Sequence, residues 1–257
     1  DGLGFLVGDY EVLDGSGNQV AFGQNNFGDS ASHEFCLEAP VGDPPSSSFT
    51  ASTEAICMDE SVNFNSTSLT FGWVALRKGV ENGRDGLGTN FVFSAGNGAG
   101  LGDNTNYHNF QNAREVISVG AATKDGTMAS FSTPGANVLV SSYGVGMMTT
   151  DRHQPGWGES PGDYYADFSG TSASAPMVSG IVAMMLEANP NLGYRDVQKI
   201  LAYSATHPEA QDWKTNGASD WNLGGLQYND KAGFGLVDAY TAVQLARTWT
   251  DTHTSIN

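Results

Sequence analysis

The sequence predicts an α/β protein, a mainly parallel β-sheet flanked by helices. Three short apolar runs supply the strands: Asn90 to Ser94, "EVISVGAA" (115–122) and "NVLVSSYG" (137–144). Helical or long irregular segments separate them, which suits crossovers better than tight hairpins. A helix beginning near Ser172 supplies the third observation. Ala175, Met177, Val178, Ile181, Val182, Met184, Met185 and Leu186 make it apolar on nearly every side, so it is expected to be buried.

The elements follow in chain order. Residues 1–68 read as loops and short strands, with turn chemistry in "DGSGN", "QNNFGDSAS" and "VGDPPSSSF". So long a stretch without strong periodicity reads as an insertion. A short helix carrying Phe71, Val74 and Leu76 comes next and stops at Asn82-Gly83. The strand at 90–94 leads into the glycine-rich turn "SAGNGAG". In the buried helix, Pro176 is expected in the first turn, where its missing N–H costs little. Gly180 is expected to let a neighbouring strand approach. Two more helices run from about Gly193 to Ser204, with Val197, Ile200 and Leu201 on one face, and from about Val237 to Thr248. The chain thus divides into an irregular segment (1–68), a main α/β part (69–249) and a short linker-like end (250–257).

At 257 residues with 39% hydrophobic content, the chain is long enough for one large packed domain. The net charge is −17, from 11 basic and 28 acidic residues. That balance excludes nucleic acid and anionic membrane as expected partners. No apolar run is long enough to span a bilayer. Cys36 and Cys57 lack metal-type spacing. A disulfide between them would suit an exported protein and add about 3 kcal/mol by loop entropy. Two unpaired buried thiols are the alternative.

Ser172 stands where a loop becomes the buried helix, in "DFSGTSASAPMVSG". Unpaired amides and the positive end of the helix dipole gather there, suited to a developing oxyanion. Taken alone, "GTS" also reads as simple capping. Asn97 stands at the end of a buried strand, where α/β sheets place ligand groups. It also reads as a plain turn residue.

The blocks "SAGNGAG" and "SGTSASAP" together resemble the subtilisin superfamily of serine proteases. The kexin/furin branch is the closer likeness, through "GRDGLGTNFVFSAGNG", "GDNTNY", "GTSASAP", "LEANPNLGYRDVQKIL", "DWKTNG" and "GFGLVDAYTAVQLARTW", in family order. The resemblance implies a subtilisin-like fold and a serine endopeptidase acting on protein or peptide substrates. It implies Ser172 as nucleophile, and Asn97 with the Ser172 backbone amide as the oxyanion hole. Ser94, Ala95 and Gly96 would form one wall of the S1 pocket.

The family's catalytic Asp and His are not found. None of His33, His108, His153, His207 and His253 carries the family's His-Gly-Thr block. His33 is the only upstream candidate, in a loop-like setting. The family pattern therefore implies that Asp and His come from an N-terminal segment preceding Asp1 or from a partner chain, and that this chain alone is inactive. A non-catalytic homologue serving as a binding module is the other reading. Asp103 falls on a family calcium-ligand position, so calcium is the expected cofactor. His108 falls at the S1 floor, where the family has Asp, and Thr133 where it has a calcium-binding Glu. The resemblance implies an extracellular or periplasmic location.

Overall fold

The computed structural model describes residues 70–108, 110–152, 158–209, 211–217 and 224–256, together with the backbone of four short strands nearer the N-terminus. The chain splits into two compact units, one of Gly4–Leu69 and one formed mainly by Thr70–Asn257.

In the first unit, β1 (Tyr10–Leu13) pairs antiparallel with β2 (Gln19–Gly23), and β3 (Phe35–Leu37) with β4 (Ile56–Met58). The β3–β4 register sets Cys36 opposite Cys57. Any link between their side chains lies outside the described residues, as do His33 and His153.

The second unit opens with α1 (Thr70–Asn82). Leu76 and Val80 are buried, but Val74 is 43% exposed and belongs to the outer face. After α1 the chain turns through Arg84 and Asp85, both with positive φ (52° and 56°). Non-glycine residues rarely adopt this conformation. The Arg84 guanidinium donates to the carbonyls of Leu192 and Pro190 (2.9 Å each) and Gly88 (3.3 Å), tying the turn to a distant loop.

The sheet consists of β5 (Phe91–Ser94), β6 (Val116–Ala122) and β7 (Val138–Tyr143), parallel and in that order. The sequence places all three within a residue. Every residue of β6 is buried, as expected for a central parallel strand. Its side chains serve two cores. Val116 packs with Leu76, Trp73, Phe91, Phe93 and Phe110. Ile117 and Val119 join Val140 and the apolar sides of the later helices.

An antiparallel hairpin, β8 (Met147–Thr150) with β9 (Tyr164–Phe168), then leads into α2 (Thr171–Ala188). α2 packs across the sheet and against α4 (Ala239–Thr248), and α3 (Tyr194–Ser204) packs against α4 and β7. Between α3 and α4 two short strands, β10 (Lys214–Thr215) and β11 (Gln227–Tyr228), pair antiparallel.

Two expectations about α2 are corrected. Pro176 lies in the second turn, so it has no N–H to offer the Ser172 carbonyl four residues back. Gly180 faces open space. The close approach falls at Gly144, where a Cβ would sit 2.2 Å from Ser174 Oγ and 2.7 Å from the Gly170 carbonyl. The sheet therefore meets the N-terminal end of α2 at Gly144.

Candidate active site

The C-terminal end of β5 and the N-terminus of α2 meet at one place. Ala95 continues the ladder, its N–H donating to the Val119 carbonyl at 2.9 Å. The chain then turns at Gly96, whose φ of +106° favours glycine. The Gly96 N–H donates to Thr171 Oγ1 (3.2 Å) and its carbonyl accepts from Thr133 N (2.9 Å). This turn presents Asn97 to solvent.

Asn97 is oriented by the first residue of α2. Its Oδ1 accepts from Thr171 N (2.9 Å) and Thr171 Oγ1 (3.0 Å). With Oδ1 committed, Nδ2 is the free donor. Gly170, at φ +140°, stands before α2. A Cβ placed there would lie 3.5 Å from Asn97 Nδ2 and 3.6 Å from Ser172 N. The two donors thus flank one small volume, opened by the absent side chain of Gly170. Ser172 is exposed at its rim. Such a pair of fixed N–H donors at a helix N-terminus can stabilise an oxyanion.

Sequence reasoning named Asn97 and Ser172 and passed over Thr171. Thr171 is buried, and its backbone and hydroxyl set the amide orientation. The signal was its place inside "GTS", but spacing alone does not reveal which neighbour an amide oxygen will choose.

Ser94 ends β5, the fully buried Ala95 continues its line, and Gly96 makes the turn. Behind Gly96 lie Thr133 and His108. A Cβ on Gly96 would meet Thr133 Oγ1 at 3.0 Å and His108 Cε1 at 3.3 Å. His108 is 8% exposed and its Nε2 lies 2.9 Å from Asp103 Oδ1. Its Nδ1 is buried without a partner. The structure brings Ser94–Gly96, Asn97, Asp103, His108, Thr133 and Ser172 near one another.

Among the described residues no histidine hydrogen-bonds Ser172. His108 is engaged by Asp103, His253 by Asp196, and His207 stacks edge-on against Trp213.

A calcium ion at Asp103 is a poor match for the donors gathered there. Calcium takes six to eight oxygen ligands, several of them charged. Here one carboxylate stands beside an imidazole and a hydroxyl. No group of three His, Cys, Asp or Glu side chains suited to a metal occurs among the described residues.

The family model for the Subtilase family (Peptidase_S8) matches residues 46–235. Human proprotein convertase subtilisin/kexin type 4 is 38% identical over 186 residues, 69% of this chain and 23% of the relative. Mouse furin is 35% identical over 184 residues, 68% of this chain and 21% of the relative. The chain therefore spans about a quarter of the length of the curated relatives it matches. A serine protease of Aeromonas sobria shares the fold with TM-score 0.63 at 22% identity, over 76% of this chain and 42% of that one. The match over most of its length, with relatives among the proprotein convertases, places this chain in the subtilase family of serine proteases.

Proposed function

We propose that this chain carries the nucleophile-bearing part of a kexin-like serine endopeptidase. Ser172 Oγ attacks the scissile carbonyl, and the resulting oxyanion is held by Asn97 Nδ2 and the Ser172 amide. The observation that supports this is the lock on Asn97 Oδ1 by Thr171, which leaves Nδ2 and Ser172 N on either side of one cavity. A serine needs a base to give up its proton, and the base an orienting group. We assign both, as His and Asp, to polypeptide outside these 257 residues, either a preceding segment or a separate chain. Loss of triad members lowers turnover by up to about 10⁶ in a subtilisin, so the isolated chain should be inactive.

Hydrolysis of a peptide library by the full-length protein and by this chain tests the reading. Full-length activity should vanish with Ser172→Ala. Activity that survives that change rejects Ser172 as nucleophile. Turnover by the isolated chain that Ser172→Ala abolishes rejects the incomplete reading. A binding module built on the same fold is the alternative, but it has no chemical use for both oxyanion donors.

Ser94, Ala95 and Gly96 would line S1, with His108 at its floor. An imidazole supplies no fixed negative charge. The P1 preference is therefore broader than the strictly basic one. Profiling the same library decides this, and a strict requirement for paired basic residues rejects it. We further propose an exported protein, consistent with its relatives. No described helix is long and apolar enough to cross a membrane.

A further inference from the structure

The cluster beneath the Asn97 turn goes beyond the peptidase reading and does not depend on it. The Asp103 carboxylate is occupied on both oxygens. Oδ1 accepts from His108 Nε2 (2.9 Å) and from Asn104 N (2.7 Å), and Oδ2 accepts from Thr133 Oγ1 (3.3 Å). With Asp103 ionised, Nε2 carries the imidazole proton. Thr133 Oγ1 in turn accepts from Gly98 N at 2.8 Å. A Cβ on Gly98 would come within 2.8 Å of Asp103 Cβ and Oδ2, so the carboxylate is seated directly against this turn. Gly96 lies against Thr133 and His108, and Gly98 against Asp103 and Thr133, so the two glycines on either side of Asn97 share Thr133.

We infer that Asp103, His108 and Thr133 form a metal-free brace for the Asn97 turn, in the place where a calcium ion was expected. The chemistry is that of substitution. A divalent cation neutralises carboxylates and draws oxygens together through ligation. Here N–H and O–H donors satisfy the single carboxylate, and the hydroxyl passes the connection to the Gly98 amide. Thr133 is fully buried and His108 nearly so, while the Asp103 side chain is 31% exposed, so the network reaches from the interior to the surface. His108 is a positioning residue in this role: it acts on Asn97 through Asp103 and Thr133.

The test uses thermal unfolding of the full-length protein after chelator treatment, with and without added calcium, beside Asp103→Asn. Calcium at one hundred times its dissociation constant would raise the melting temperature of a domain this size by about 5–10 °C. We expect the same calcium response in the native protein and in Asp103→Asn, because any response then belongs to another site. A calcium-dependent rise present in the native protein and absent from Asp103→Asn overturns the inference. A second pair keeps the brace testable should Asp103→Asn fail to fold. His108→Ala should lower the melting temperature by several degrees, and His108→Gln, which keeps a donor, should recover most of the loss. Equal losses in the two variants overturn the brace.

Discussion

At the residue scale, the site depends on Thr171 holding Asn97 by two hydrogen bonds. Thr171→Val removes the hydroxyl bond to Asn97 and the acceptor for Gly96 N, and keeps the backbone bond to Asn97. A neutral hydrogen bond contributes about 1 kcal/mol. Turnover of the complete protein should fall at least about fivefold with KM little changed, as steady-state kinetics would report. Asn97→Ala removes the donor itself and should cost about 10²–10³ in turnover, a value known from a subtilisin rather than derived for this chain. Tyr228 makes a separate prediction. Burial, with Asp230 nearby, pushes its phenol up to about 12 from 10.0, and its hydroxyl donates to the Gly135 carbonyl at 3.1 Å. A raised value favours the neutral form in the fold. Its stabilisation is therefore complete below pH 10 and lost as pH rises through about 12. Tyr228→Phe should flatten the decline in stability over that window, measured by denaturant unfolding at several pH values.

At the scale of elements, α3 and α4 show how helix ends hold this fold. Asp238 caps α4, its carboxylate accepting from Thr241 N (3.1 Å) and Thr241 Oγ1 (2.7 Å). These bonds lower its pKa from the ordinary 3.8. The cap stabilises fully above 3.8 and is lost as pH falls through the lower folded value. Asp238→Ala should cost about 1 kcal/mol near neutral pH and less in acid. Asp196, completely buried near the start of α3, accepts from Gly193 N, Trp249 Nε1, His253 N and His253 Nδ1. It fastens the segment after α4 to α3. Asp196→Ala strands several buried donors and should cost about 3–5 kcal/mol in denaturant unfolding. Elements α1–α4 and β5–β7 were legible because apolar runs and helical periods survive without tertiary context. The β8–β9 and β10–β11 hairpins were not legible. Their strands mix polar with apolar residues (MMTT, YYADF, KT, QY) and so leave no apolar run to read. Asn97 and Ser172 could be read from their motifs, whereas the roles of Thr171 and Gly144 arise only when distant segments meet.

At the scale of the whole molecule, the sheet is uneven. β6 is buried throughout, β7 is bridged on its far side at Ser141 by Leu236, and β5 is half-buried with β6 its one partner among the described strands. An open parallel edge offers unpaired backbone groups to another strand. Association through that edge would appear as light scattering that rises with concentration. The lock between Thr171 and Asn97 carries a mechanical consequence. It joins the end of β5 and the head of α2 into one rigid caliper whose jaws are Asn97 Nδ2 and Ser172 N. Tilting α2 swings the whole caliper but barely changes its opening. The width of the cradle is thus protected against distortion elsewhere, while its aim at any base borne on another segment is not. Since about 1 Å of misplacement can cost about 10²-fold in rate, the proposed chemistry would tolerate error least where the base is brought to Ser172, rather than within the cradle.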